Sequence, residues 1–521
     1  MDLKECREKI DRIDDRLVEL LEERMQVVEE VAVNKAMTGS PVLDSGREEQ
    51  KLADALGRSN PKFAESNREI FKAIMEASRH YQQDHRVEHG LLGQHLGHSI
   101  SPAIHQRLGG YDYGLFQVEP EDLEQFFQQA SFKGINVTIP YKKEAMKYCE
   151  SLSETAKKVG SVNTILRNED GTLTGYNTDY FGFKRLLDHV LTELGEGAGD
   201  SNGKPDSEEL DRVHDKVIIL GNGGASLAVQ RVLAHEGFGN VIVISRSRED
   251  VFGEFITYDT YENIKSHLDA KMIINATPVG MYPENGEWLF EEGLEGFSQC
   301  KAVIDLIYNP INTKLVLEAK RLGMAACGGL EMLLAQALKT IEIFTGKQFT
   351  PAEEKMALDQ LEKEYMNIVL IGMPGSGKTT VGKRVAELTG RDFIDLDDEV
   401  YFKAGQTPEE MILMQGEETF RKTETQVLRE ISKGHGQVIA TGGGVVTREE
   451  NRQLLQQNSV IVYLERDIED LETSGRPLSQ YRGVEELFKE REALYQDWSN
   501  FTVASEDESM AGDAIANLFS E

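Results

Sequence analysis

One string limits the fold of this chain more than any other. Gly372-Met-Pro-Gly-Ser-Gly377-Lys378-Thr379 follows directly on the strand-like run Asn367-Ile-Val-Leu-Ile371. The pattern G-x-x-x-x-G-K-[ST] works where a strand hands a glycine-rich turn to a helix N-terminus, so that backbone N–H groups cradle phosphates. An α/β segment therefore begins near residue 366. Gly375, Gly377 and Thr380 belong to the phosphate cradle, Lys378 reaches the β/γ oxygens, and Thr379 coordinates Mg²⁺. The next strand, Phe393-Ile-Asp395-Leu-Asp397, carries two carboxylates that alternation puts on one face. One suits magnesium and the other an acceptor hydroxyl. Glu417-Glu-Thr-Phe-Arg421 supplies a cation, and Thr441-Gly442-Gly443-Gly444 permits close backbone approach after Val438-Ile-Ala440.

The chain has 521 residues, enough for three or four domains at roughly 150 residues each. Residues 1–86 have helical periodicity and almost no strand signal. Residues 88–346 alternate short β-branched runs with helical stretches, and residues 366–521 do so again. Within 347–365, the polar segment Pro351–Tyr365 reads as a linker helix. Residues 195–211 are rich in Gly, Ser and acid, with Leu210 their one large apolar residue, and read as a surface insertion or hinge. The expected fold is thus multidomain: an all-α domain of the intertwined-dimer type, an α/β substrate half with a Rossmann half (core 216–310), and a P-loop α/β domain.

A net charge of −33 argues against nucleic acid or an anionic membrane as partner, since both need a basic face. Hydrophobic content of 40% and charged content of 28% are ordinary for a folded chain. Cys6, Cys149, Cys300 and Cys327 are scattered, which argues against a disulfide framework or zinc site and favours a reducing compartment. The charged start MDLKECREKIDRIDDR is no signal peptide, and no apolar run is long enough to span a bilayer. A soluble cytoplasmic protein acting on small molecules is expected.

In the first helix Ile10, Ile13, Leu17, Leu20, Val27 and Val31 recur at +3/+4 steps and form one stripe. Arg7, Arg24 and Lys35 fall on that stripe. Buried cations need anions. Local acids such as Glu23 or Glu48, or snorkelling, would serve one cation; three favour a small dianionic ligand. Further on, Ile70 and Ile74 lead at +4 steps to Ser78 and Gln82, and Asp44-Ser-Gly-Arg47-Glu48 has the form of a capped helix start. So short a helical segment buries little core alone, and a helix-swapped homodimer remedies that.

CREKID, LLEERM, the spaced Lys35, VLDSGRE and the Ser78/Gln82 pair resemble the all-helical chorismate mutases over essentially this whole segment. The resemblance implies rearrangement of chorismate to prephenate, which needs only a held conformation and stabilised developing charge. It implies that Arg7 of the partner subunit, with Arg24 and Arg47, holds the two carboxylates. Lys35 and Gln82 would face the ether oxygen, and Asp44, Glu48 and Ser78 the hydroxyl and ring side. A competing reading makes the segment a non-catalytic dimer module that senses chorismate or prephenate.

The middle region has two halves. In the second, Lys216-Val-Ile-Ile-Leu-Gly221-Asn-Gly223-Gly224-Ala225-Ser226 runs from a strand through a Gly-rich turn into a helix, a Rossmann-type turn for a pyrophosphate. The next strand, Asn240-Val-Ile-Val-Ile-Ser245, ends in Ser245-Arg246-Ser247-Arg248 rather than in an acid. That end suits a 2′-phosphate, hence NADP(H) rather than NAD; the bland alternative leaves both arginines as solvated loop residues. In the first half, His98-Ser99-Ile-Ser101-Pro102 places two hydroxyls together. Asn136 and Thr138 share a strand face with Lys142 just beyond, and Ser161-Val-Asn163-Thr164 and Tyr176-Asn177-Thr178-Asp179 follow. The set suits a polyhydroxylated carboxylate, with Lys and Asp as an acid–base pair for carbonyl/alcohol interconversion.

HSISP, NVTIPYK, GSVNT, YNTD, GNGGAS, NATPVGM, IYNP and GGLEMLLAQA together resemble shikimate dehydrogenase over both halves. The resemblance implies NADPH-dependent reduction of 3-dehydroshikimate to shikimate. Ser99 and Ser101 would bind the carboxylate; Asn136 belongs to the substrate set, and Thr138, Asn163, Asp179 and Gln336 would bind ring hydroxyls. Lys142 would transfer the proton with Asp179 as its partner, and Tyr308 would line the site. Quinate is the competing substrate.

The C-terminal region resembles shikimate kinase throughout, which implies ATP-dependent phosphorylation of shikimate. By that resemblance Asp395 helps hold magnesium and Asp397 binds the acceptor hydroxyl. Arg421 and Arg491 bind the carboxylate, Gly443 and Gly444 contact the ring, and Arg476 is the lid arginine. One departure stands out: only ten residues separate Glu465 from Arg476, a short lid without a clear arginine for adenine stacking.

Overall fold

The computed structural model describes residues 2–96, 99–195, 210–246, 256–290, 293–471 and 482–519, apart from the Ser45 side chain. The chain divides into two compact units, Met1–Phe181 with Ala335–Gln348, and Gly182–Leu334 with Phe349–Glu521.

The first unit opens with three helices, α1 (Leu3–Thr38), α2 (Ser45–Arg58) and α3 (Ala64–Asp84). Asp2 and Glu5 form a capping box at the start of α1, and Gly39, at φ 63°, ends it in the left-handed region that glycine adopts without strain. At 1.5 Å per residue α1 is about 54 Å long. Its apolar stripe stays largely open: Ile10, Ile13, Leu17, Leu20, Val27 and Val31 are 38–57% exposed. The far end differs. Ala36, with Val33 and Met37, packs into the cluster built by Phe116, Phe126, Phe127 and Phe132, and Ser131 N donates to Ala36 O at 2.9 Å. The helical segment is thereby anchored on the sheet that follows it.

That sheet has six strands, β1 (His89–Gly93), β2 (Tyr113–Gln117), β3 (Gly134–Val137), β4 (Ser151–Leu152), β5 (Thr164–Arg167) and β6 (Leu173–Tyr176), in the order β2-β1-β3-β5-β6-β4. Its β1–β2, β1–β3 and β4–β6 pairs are parallel, and its β3–β5 and β5–β6 pairs antiparallel.

The second unit holds two fully parallel sheets. One consists of β7 (Val217–Leu220), β8 (Val241–Ser245), β9 (Ile256–Thr260), β10 (Met272–Asn275), β11 (Ala302–Asp305) and β12 (Ala325–Cys327), ordered β12-β11-β10-β7-β8-β9. Read from its far edge this is the doubly wound order 3-2-1-4-5-6, whose switch point lies beside β7. The other consists of β13 (Asn367–Ile371), β14 (Asp392–Asp395), β15 (Gln437–Ala440), β16 (Ser459–Glu465) and β17 (Phe501–Ala504), ordered β14-β15-β13-β16-β17. β7 and β13 are buried along their whole length, as parallel strands covered on both faces must be, so both read as unbroken apolar runs. Between the sheets in sequence, Pro351–Tyr365 is a helix opened by a Thr350/Glu353 capping box. Among the described residues no helix is long and apolar enough to cross a membrane.

Candidate active sites

In the first unit, β3, β5, the start of the helix Asp179–Glu193 and the segment 335–348 converge. Lys142 Nζ donates to Asp179 Oδ2 at 2.6 Å, with side chains only 16% and 7% exposed. Asn163 Nδ2 donates to the other Asp179 oxygen and to Thr178 Oγ1, each at 2.9 Å, and lies 3.4 Å from Gln336 Oε1. Thr178 N in turn donates to Asn163 Oδ1 at 2.6 Å. The carboxylate of Asp179 is thus aimed from one side by an amide and from the other by an ammonium. Ser99 Oγ accepts from Ser101 N at 3.3 Å, and Thr138 is part-buried with its methyl packed against Gly93.

Asn136 does something other than its strand alternation predicts. It is 5% exposed, accepts from Tyr113 OH at 2.7 Å, and directs its amide at Asn163 O, Thr164 Oγ1 and Thr340 Oγ1 at 3.0–3.2 Å. Its amide N–H groups are engaged inside the protein, so Asn136 braces the residues around Asp179. Thr340 and Tyr113 are not legible as its partners in the sequence, because nothing local ties Asn136 to residues 204 and 23 positions away.

In the helical segment, Lys35 Nζ donates to Val42 O at 2.5 Å and Gln82 Oε1 at 3.2 Å, and all three residues line a cavity of about 400 Å³. Arg24 bonds the Ser78 hydroxyl, and burial lowers the pKa of its guanidinium. Glu48 pairs with Arg79, a cation that periodicity did not single out. Asp44 caps α2 by accepting from Arg47 N at 3.0 Å, leaving the Arg47 side chain exposed. Arg7 is exposed and lies 17 residues, about 25 Å, along α1 from Arg24. It therefore cannot join Arg24 within one chain.

In the second unit, Gly221 (φ 95°) turns the chain off β7 with its Cα facing the Ala276-Thr277 loop, where a Cβ would come within 2.8 Å of Thr277 Cγ2. Nothing lies within 4 Å of a Cβ placed on Gly223, so the N-terminus of the helix Gly224–His235, with Ala225 in its first turn, is open to a pyrophosphate. Ser245 is buried at the end of β8 and Arg246 is exposed. Ser247 and Arg248 lie outside the described residues, as do 196–209 of the insertion. Asp305, which no sequence motif marks, is fully buried three positions before Tyr308. It accepts from Thr313 Oγ1 (2.7 Å), Asn275 Nδ2 and Ile307 N (3.0 Å each), and burial raises its pKa to about 6.

The phosphate loop of the second unit borders a cavity of about 490 Å³ whose lining includes Gly375, Gly377, Lys378, Thr380, Asp397, Arg421, Gly443, Gly444 and Arg491. Thr379 Oγ1 donates to Asp395 Oδ2 at 2.7 Å, an all-oxygen pair suited to a hard cation. Lys378 Nζ donates to the loop carbonyls of Gly372 and Met373 at 2.9 and 2.8 Å. Burial, reinforced by the charges of Glu424 and Asp395, pushes the Asp397 carboxyl up to about 6. Arg421 forks both oxygens of the fully buried Glu424 at 3.0 and 2.9 Å. Arg491 is 1% exposed and donates to Gly443 O at 3.2 Å, while its Nη2 has no hydrogen-bond partner among the described residues. Gly443 and Gly444 admit no side chain: a Cβ on Gly443 would strike Pro374, and one on Gly444 the Arg421 guanidinium. Glu424 was legible as a helix neighbour of Arg421 three residues on, but its burial was not. Arg476 lies outside the described residues.

These features define a multidomain nucleotide-dependent enzyme, with a phosphate loop on one parallel sheet and a dinucleotide turn on another. Family models match at three places: Chorismate mutase type II over residues 6–83, Shikimate dehydrogenase substrate binding domain over 91–165, and Shikimate kinase over 374–519. Shikimate dehydrogenase (NADP(+)) of Clostridium beijerinckii is 37% identical over 269 residues, covering 49% of this chain and 91% of that protein. The enzyme of the same name from Methanothermobacter thermautotrophicus is 34% identical over 283 residues, 50% and 90% of the two chains. Among solved structures, a chorismate mutase/shikimate 5-dehydrogenase fusion protein from Clostridium acetobutylicum is 32% identical over 53% of this chain and 96% of that one, at a TM-score of 0.44. The chain belongs to the shikimate dehydrogenase family and carries, fused to that enzyme, chorismate mutase and shikimate kinase domains.

Proposed function

We propose that this multifunctional enzyme of the shikimate pathway catalyses three reactions: chorismate to prephenate, NADPH-dependent reduction of 3-dehydroshikimate to shikimate, and ATP-dependent phosphorylation of shikimate at its 3-hydroxyl. The observation that carries the reading is the Lys142–Asp179–Asn163 cluster, a buried proton donor oriented by a carboxylate beside amide and hydroxyl groups suited to a polyol.

In the dehydrogenase, NADPH supplies hydride when bound, and Gly221, Gly223 and Gly224 are the residues that would hold its pyrophosphate. Lys142 gives its proton to the oxygen of the carbonyl being reduced, and Asp179 keeps the ammonium in place. Asn163, Thr138 and Gln336 orient ring hydroxyls, Ser99 and Ser101 the carboxylate, and Tyr308 is assigned to the substrate by resemblance alone. In the kinase, Thr379 and Asp395 would hold Mg²⁺, which neutralises phosphate charge. Asp397, poised near neutrality, accepts the proton of the attacking hydroxyl. Arg491 and Arg421 hold the substrate carboxylate, and Arg476 is assigned to the transferring phosphoryl group. In the mutase, Lys35 and Gln82 meet the ether oxygen, Arg24 a carboxylate, and Ser78 and Glu48 the rest of the ring.

The open stripe on α1 and the isolation of Arg7 support a homodimer in which the partner subunit's Arg7 completes the mutase site. Three assays on the purified full-length chain, with chorismate, with shikimate or quinate plus NADP, and with shikimate plus ATP and Mg²⁺, test the reading. No chorismate turnover would reduce the helical domain to a sensor. Preference for quinate would replace the dehydrogenase substrate.

A further inference from the structure

A second cavity, of about 680 Å³, lies inside the second unit between the dinucleotide-binding sheet and the kinase sheet. Its walls are fixed to one another. Asn285 Nδ2 donates to Gln457 Oε1 at 2.5 Å, Gln457 Nε2 returns a bond to Asn285 O at 3.1 Å, and Asn312 N donates to Gln457 O at 2.9 Å. The size falls in the range of roughly 300–1,000 Å³ usual for small-molecule sites.

Charge in this cavity runs against the chain. The whole protein carries −33, yet the lining brings Lys314, Lys320, Arg321 and Arg452 together against Glu318 and Glu449. Arg321 is cancelled by Glu318 at 2.7 Å, and Arg452 by Asp497 at 2.7 Å. The two lysines are not cancelled in this way. Lys320 Nζ donates to the neutral Asn312 Oδ1 at 3.2 Å, and Lys314 Nζ stands 5.0 Å from the centroid of Trp288. Ser459, 7% exposed, also lines the cavity, and its hydroxyl has no hydrogen-bond partner among the described residues.

We propose that this interdomain cavity binds a small polyanion, a ring compound bearing carboxylate or phosphate groups, with Lys314 and Lys320 meeting its charges and Trp288 flanking its ring. The ligand chemistry has two sources in this chain's own reactions, a dicarboxylate and a phosphorylated carboxylate, for which prephenate and shikimate 3-phosphate are the probes.

The protein has two tryptophans, Trp288 and Trp498, so Trp498→Phe leaves the cavity as sole reporter. Trp498 is buried in the kinase core, where phenylalanine keeps one aromatic ring and leaves a gap, so kinase activity of Trp498→Phe is verified before titration. Each probe is titrated into full-length Trp498→Phe while Trp288 emission is followed, alone and with Lys314→Glu added. Lys314 opens the helix Lys314–Arg321, where a glutamate favours the helix dipole, so the second change preserves the fold. Lys314→Met repeats the test without reversing charge. A saturable change with one probe or both, its midpoint raised at least tenfold by Lys314→Glu and severalfold by Lys314→Met, supports the proposal, and the tighter probe identifies the source. No saturable change with either probe, or midpoints that ignore both Lys314 variants, overturns it.

Discussion

Arg421→Ala probes the electrostatic centre of the kinase cavity. Arg421 grips both oxygens of Glu424, whose side chain is completely buried. Truncating the arginine strips that carboxylate of both its hydrogen bonds and of its paired counter-charge, leaving only the field of Arg491, a penalty of about 3–5 kcal/mol for a buried pair broken on one side. Neighbouring Gly444 offers no side chain to fill the place. The cost must depend on pH. Burial raises the Glu424 pKa and Arg421 holds it down, so removing the guanidinium raises it further. A carboxyl whose folded pKa lies above its unfolded value of about 4.3 contributes stability that is present below that value and lost as pH rises through the folded pKa. The deficit of the variant relative to the parent is therefore small up to the parent's own raised Glu424 pKa, and from there it grows by about 1.4 kcal/mol per pH unit until Glu424 ionises in the folded variant. Urea unfolding at about pH 5 and about pH 8, in a Trp288→Phe background so that emission reports Trp498 in the kinase core, measures it. Adding Glu424→Gln should restore most of the stability at the higher pH while the KM for shikimate stays raised, because the charge that Arg421 offers the substrate carboxylate is still missing. A deficit below about 1 kcal/mol at about pH 8, or one that does not change with pH, would refute the reasoning.

Asp397→Asn should lower kinase kcat by about 10²–10⁴, and the parent chain should lose activity as Asp397 gains its proton below a pH of about 6; a parent pH–rate profile without that limb counts against Asp397 as base. Lys35→Ala should cut chorismate turnover at least a hundredfold and leave the other two activities intact, because the Lys35 ammonium bonds Val42 and Gln82 and takes no part in the Lys142–Asp179 cluster or the phosphate loop; parallel assays on one preparation decide it. Arg246→Asp should weaken NADPH binding far more than NADH binding, and equal losses in a titration of both cofactors would remove Arg246 from 2′-phosphate recognition. Sedimentation of the full chain should show a dimer that Leu17→Glu, on the open face of α1, disrupts along with mutase activity; a fully active monomer would end the shared-site reading.

Most local order was legible in the residues themselves; the exception is Asp397, read onto one strand face with Asp395, whereas the strand ends at Asp395, which caps the helix Leu396–Ala404 that carries Asp397. The phosphate loop after Asn367–Ile371, the dinucleotide turn after Val217–Leu220 and the cap at Asp44 all follow from short-range spacing, because a strand, a glycine turn and a helix start are each decided within a few residues. Pairings across the chain were legible only where a whole motif set was present, as for Lys142 and Asp179. Tertiary structure alone decided how polar groups spend their bonds. It turned Asn136 inward onto Tyr113 and Thr340, gave Glu48 to Arg79 and buried Glu424 under Arg421. It also walled Lys314, Lys320 and Ser459 into one cavity from segments more than a hundred residues apart. Periodicity tells which face a side chain takes, but burial and hydrogen-bond partners depend on what packs opposite, and that is set by strand order and by how the sheets and helices meet.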